Sequence, residues 1–139
     1  VGHNFRMPNT AAAIGRVQLQ RLPSFVRSRR EHAAVLTDAL ADTDVITPAE
    51  PAGTRHAYHQ YTVRTDDRDG MAAALDEFGV GTGVYYPAAI HQQPAYDDVT
   101  ATAPVAEALA EQVLSLPVHP HLSGDEVAAL RHAIDRVTA

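Results

Sequence analysis

At 139 residues the chain is long enough for one domain with a real core, and 45% apolar with 20% charged residues describes a globular rather than a disordered protein. Seventeen acidic residues against eleven basic ones leave a formal charge of −6, so the surface as a whole is set against nucleic acid and anionic lipid. The absence of cysteine excludes a disulfide framework and thiolate chemistry, and no apolar run approaches the roughly 18 residues of a membrane span.

In chain order, residues 9–41 carry a helical pattern, with Asn9 or Thr10 as its expected cap. Pro23 interrupts that pattern, which predicts two helices, over 10–21 and 23–41, the second with Phe25, Val26, Ala33, Leu36 and Leu40 on one face. Residues 42–55 read as a loop with a short strand at Val45–Ile46. A strand is predicted over 57–65, then a helix capped by Asp67 or Asp69 and stopped by Gly79, then a second strand over 80–86 ended by Pro87. An irregular stretch from Ala88 to Ala103 follows, of the length that tends to belong to binding segments. Another helix is expected from Pro104 to Leu114, and an extended bend through Leu116-Pro117 and His119-Pro120. Ser123 to Glu126 forms a capping box for a last helix whose apolar face is Val127, Leu130, Ile134 and Val137. Strands separated by helices, with a long N-terminal helical arm, predict a small α/β fold.

Two segments hold residues suited to chemistry. Asn4 and Arg6, just before a helix start, combine amide donors, a guanidinium fork and free backbone N–H groups, a set that suits a phosphate; they could equally organise the helix start. Tyr85 and Tyr86 at a strand end, followed by His91 in the long loop, offer rings and hydroxyls for stacking on a sugar or base; against this, one ring could be core and the other surface, and His91 a surface group. The histidine pairs His56/His59 and His119/His121 lack metal-site company, so no metal is expected. The arginines Arg27, Arg29 and Arg30 read as a solvated or interface face.

Seven blocks together, GHNFRMPN, AAIGRVQLQRL, RSRREHA, HAYHQYTVR, GVGTGVYYP, IHQQPAY and LSLPVHPHLS, resemble in order the C-terminal portion of the DegT/DnrJ/StrS-type sugar aminotransferases. The resemblance implies the small C-terminal domain of a fold-type I aminotransferase, with a short, mostly antiparallel sheet, packed helices and a helical arm. Residues 1–41 would be that arm, linking to a large domain and a dimer mate, and 42–139 the small domain. It further implies a pyridoxal 5′-phosphate enzyme that transfers an amino group from an amino acid, usually glutamate, to a keto-sugar nucleotide. Asn4 matches the asparagine that binds the cofactor phosphate across the subunit interface, with Arg6 in the same motif. Tyr85, Tyr86 and His91 match the segment lining the sugar-nucleotide pocket. Ala88–Ala89 and Ala11 depart from the family's usual residues, which bears on loop shape and substrate.

All eleven basic residues are arginine. The Schiff-base lysine that the resemblance calls for is therefore absent, and a guanidinium that stays protonated cannot replace it, so this chain carries no catalytic residue and is expected to be inactive alone. The start at Val1 within patterned sequence reads as a cut edge, the lack of a leader segment leads to the expectation of a cytoplasmic protein, and the resemblance implies a homodimer. Three readings stay open: part of an aminotransferase, a truncated paralogue that only binds or dimerises, and part of a related sugar dehydratase.

Overall fold

A computed structural model describes residues 5–139, and four α-helices and a two-stranded antiparallel sheet make up its regular structure. The first helix, α1, runs unbroken from Asn9 to Ala39, with Pro23 inside it. Two helices were expected there. Proline removes one N–H and its ring crowds the Leu19 carbonyl, but its fixed φ is already helical. That turn of α1 is exposed, so water can satisfy the carbonyl, and the helix continues. Its N-cap is Pro8 rather than Asn9 or Thr10, without a side-chain cap.

The strands are β1, Tyr61–Arg64, and β2, Val113–Leu116, paired with Tyr61 opposite Leu116 and Val63 opposite Leu114. Period-two geometry sends Tyr61 and Val63 into the core, both fully buried, while Thr62 meets Ser115 on the other face through a 2.8 Å hydroxyl–hydroxyl bond. A single bridge at Ile46 extends the sheet beyond β1, and one at Gly83 extends it beyond β2. The predicted strand over 80–86 is therefore one bridging residue, because the chain turns away at Val84 and Tyr85. The predicted strand over 57–65 is shortened to its last half by a turn at Tyr58. β2 begins inside the helix expected to run to Leu114: four residues, Val113-Leu114-Ser115-Leu116, are too short for their periodicity to separate strand from helix.

Helix α2, Arg68–Glu77, starts at Asp67, whose carboxylate accepts from the Gly70 amide at 3.0 Å. It stops at Gly79, which takes the left-handed φ of +75° that favours glycine. Helix α3, Pro104–Gln112, begins with proline at its first turn and ends two residues short of the expected Leu114. Helix α4, Gly124–Val137, opens with the expected capping box: the Ser123 hydroxyl accepts from the Glu126 amide, and Glu126 accepts from the Ser123 amide at 2.7 Å. Between α2 and α3, residues 88–103 form two single 3₁₀ turns, Ile90–Gln92 and Pro94–Tyr96, on an otherwise irregular path.

One core joins all of this. Ala33, Leu36 and Leu40 from the C-terminal part of α1 meet Leu75 of α2, Leu114 of β2 and Ile134 of α4. The i, i+3, i+7 spacing of the α1 residues places them on one stripe, as a core-facing helix requires.

Candidate functional site

Where β2 leaves the sheet through Pro117 to His119, an open cleft of about 510 Å³ forms against the 59–60 and 81–86 segments. Arg29, His59, Thr82, Tyr85, Tyr86 and His119 supply its functional side chains. One edge is set by the Gly83–Ser115 bridge, with hydrogen bonds of 3.0 and 2.7 Å in the two directions. A Cβ at Gly83 would come within 2.7 Å of the Tyr85 ring, which folds back over it, so a larger residue there would have to displace that ring. The Tyr85 and Tyr86 rings meet edge-to-face with centroids 6.0 Å apart, across a cis peptide. Both are largely open to solvent, at 51% and 72% exposure, and neither hydroxyl has a hydrogen-bond partner among the described residues. Rings held edge-on with free hydroxyls can stack on a planar group and bond its polar rim.

Arg29 of α1 lines the cleft as well, and its neighbour Arg30 braces the same turn from outside the lining. Arg29 donates from one nitrogen to the carbonyls of Tyr58 and His59 at 3.0 and 2.9 Å, and Arg30 donates to the His56 carbonyl at 2.8 Å and to Glu50 at 2.9 Å. Between these contacts Tyr58 sits at φ +46°, a conformation rare for a residue with a side chain, and its amide is bonded by the His56 ring at 2.9 Å. The Arg27/Arg29/Arg30 cluster is therefore not simply a solvated face. Arg27 is exposed, while Arg29 and Arg30 are half-buried and hold a strained turn that presents His59 and Gln60 to the cleft. The bond to Arg30, and then the His56 amide, hold the Glu50 carboxyl below the usual carboxylate range.

His91 lies on the Ile90–Gln92 turn, outside the cleft lining, with Nε2 2.8 Å from a Glu107 carboxylate oxygen. The same oxygen accepts from the Ala103 amide at 2.8 Å, so Glu107 ties both ends of the 88–103 loop to α3. The Ala103 amide and then the His91 ring keep the Glu107 carboxyl below its ordinary range. Arg6 is exposed in the segment before α1, with no hydrogen bond or ion pair among the described residues. Asn4 lies outside the described residues. Tyr85 and Tyr86 thus share one cleft, and His91 and Arg6 stand apart from it within this chain.

Arg29, His59 and His119 are cleft residues that their sequence context, a helix-face arginine cluster and two histidine pairs, did not assign to a cleft. Spacing hid them: the histidine pairs have the look of metal spacings, whereas one ring of each pair accepts from a backbone amide, His56 Nδ1 from Tyr58 at 2.9 Å and His119 Nδ1 from His121 at 3.3 Å. Among the described residues no group of three or more His, Cys, Asp or Glu side chains comes together as a metal site would need. Nor is any helix among them long and apolar enough to cross a membrane.

The profile of the DegT/DnrJ/EryC1/StrS aminotransferase family matches residues 1–135. A UDP-N-acetyl-3-dehydro-alpha-D-glucosamine 3-aminotransferase from Acidithiobacillus ferrooxidans is 36% identical over 98% of this chain and 37% of its own length. The crystal structure of S. venezuelae DesV, in complex with a ketimine intermediate, superposes with a TM-score of 0.91 at 34% identity, over 97% of this chain and 38% of that one. An aminotransferase of the same family from Brucella abortus superposes at 0.89 with 32% identity, over all of this chain and 38% of its own. The chain thus spans somewhat over a third of the length of these relatives. With a profile match over nearly every residue and the same fold throughout, it belongs to the DegT/DnrJ/EryC1/StrS aminotransferase family.

Proposed function

We propose that this chain is the C-terminal portion of a pyridoxal 5′-phosphate enzyme that transfers an amino group from an amino acid, glutamate in our reading, to a keto-sugar nucleotide. The observation that carries it is the paired Tyr85–Tyr86 wall of an open cleft, in a chain similar from end to end to sugar aminotransferases. The rings would stack on the sugar nucleotide while their hydroxyls bond its polar groups.

The residues present fit one end of the cofactor. Exposed Arg6, without a protein partner among the described residues, and the Asn4 amide are suitable donors to its phosphate. Nothing here fits its aldehyde end, since the chain has no lysine amine, so that group would come from sequence outside these residues. When bound, pyridoxal phosphate supplies the electron sink that amino-group transfer needs. Residues 1–41 would form the arm against the lysine-bearing region and a second subunit, with 42–139 as the small domain, in a cytoplasmic homodimer. Ile14, Val17 and Leu22, exposed at 64%, 51% and 49%, support that docking role for the arm.

The test is amino-group transfer by the complete protein, read as 2-oxoglutarate formed from glutamate with a keto-sugar nucleotide present. Dehydration of the sugar without a need for glutamate would sink the reading. Within the complete protein, Asn4→Ala should weaken cofactor retention by about ten- to a hundredfold, the value of a hydrogen bond to a charged group. Mixed dimers carrying one lysine-dead and one Asn4→Ala subunit should recover activity, because one of their sites keeps both groups. Tyr85→Phe should raise KM for the sugar nucleotide and leave cofactor retention unchanged.

A further inference from the structure

We propose that Arg29 is the anchor of an oxyanion subsite in the cleft, taking the phosphoryl groups of a nucleotide or the carboxylate of the amino donor. The proposal rests on the sugar-aminotransferase reading for which anions arrive, but not for the existence of the subsite.

The charge distribution carries it first. The chain holds seventeen acidic residues and a net charge of −6, yet not one carboxylate lines this cleft. Its charged and ionisable lining is one arginine, two imidazoles and two phenols, with the Thr82 hydroxyl beside them. In a protein of this sign, a cleft free of carboxylates around a guanidinium is a local potential well for anions.

The state of the guanidinium carries it further. Arg29 and Arg30 are neighbours in sequence and hold the same turn, but only Arg30 is neutralised, by Glu50 at 2.9 Å. Arg29 has no ion pair among the described residues, and its two hydrogen bonds both leave one terminal nitrogen, toward the Tyr58 and His59 carbonyls. A guanidinium has five N–H donors. The three on Nε and the second terminal nitrogen have no protein acceptor among the described residues, and neither atom is buried without a partner. The two carbonyls fix the plane of the fork, so the remaining donors are presented without further loss of side-chain freedom. A fixed fork with free parallel N–H groups is the geometry that bidentate oxyanion recognition uses.

The test uses this chain and simple anions, without cofactor or turnover. Pyrophosphate, and separately glutamate, are titrated while the Arg29 Nε–Hε resonance is followed by NMR. A saturable shift of that resonance with either anion supports the subsite, and which one acts names its source, phosphoryl or carboxylate. Arg29→Gln should weaken binding of the active anion by about tenfold or more. Arg27→Gln, which removes an exposed charge of the same helix from outside the cleft lining, should change it by less than about threefold. The Arg29 signal in the unaltered chain keeps the test decisive even if Arg29→Gln loosens the turn. Shifts confined to Arg6 and other exposed arginines, or equal losses in the two variants, would overturn the proposal. Failure of amino-group transfer in the complete protein would leave these readouts untouched.

Discussion

The two halves of α1 obey one helical repeat and meet opposite fates. Its last third puts Ala33 and Leu36 in the core at 1% and 0% exposure, while its first half leaves Ile14, Leu19 and Leu22 at 64%, 66% and 49%. Gly15, Gln18, Leu19, Leu22 and Phe25 there line an apolar groove of about 350 Å³. Helix propensity and hydrophobicity do not distinguish the halves. What does is whether the rest of the chain buries them: α4 and the sheet cover the last turns, and at the boundary His121 packs ring to ring with Phe25 at 5.1 Å. One half folds this domain, and the other is an unsatisfied surface whose natural cover we place outside the chain.

The sharpest way to break that comparison is to truncate a side chain in each half. Leu36→Ala should destabilise the chain by about 2–5 kcal/mol, the cost of lost transfer energy and the cavity left behind, read as a lower midpoint in chemical denaturation. Leu22→Ala should change that midpoint by no more than about 0.5 kcal/mol, as an exposed position does. A large loss at Leu22 would show that the first half is part of the cooperative unit.

Removing the cap of α4, the helix that covers the last turns of α1, probes the same contrast from the other side. Ser123→Ala should cost about 1 kcal/mol, since it orphans the Glu126 amide at the helix start. The same change should leave the amide exchange of residues 10–20 unaltered, because nothing on α4 covers them.

Acid should separate the halves too. Glu50, Glu107 and Glu126 have carboxyls held below their ordinary range, by Arg30, by the Ala103 amide and by the Ser123 amide respectively. A depressed folded value means the stabilisation is complete above the unfolded value of about 4.3 and is lost as pH falls through the lower folded values. The contribution of these three carboxylates should therefore be complete down to about pH 5 and be lost below it, whereas the exposed half of α1, with no such carboxylate, should keep its helicity over that acid limb. The smallest effect is on association: Ile14→Ser should leave the denaturation midpoint within about 0.5 kcal/mol and reduce self-association in sedimentation at high concentration.

By itself the sequence determined the class of fold, the capping box at Ser123, the stop at Gly79, the core stripe of α1 and the family. Each of these rests on local geometry or on residues in fixed order, so no distant contact is needed to read it. The tertiary structure decided the rest. That Pro23 sits within one helix depended on its turn being open to water. That Val113–Leu116 is a strand depended on a partner about fifty residues earlier, and that Val80–Tyr86 is not a strand depended on the chain pairing only at Gly83 before it turns away. The cleft itself was half legible: Tyr85 and Tyr86 are adjacent in sequence, but Arg29, His59 and His119 come from three segments that meet only when the Tyr58 turn is clamped. A left-handed turn held by arginines from another helix leaves no periodic signature, because its stability comes from hydrogen bonds to carbonyls, which every residue has.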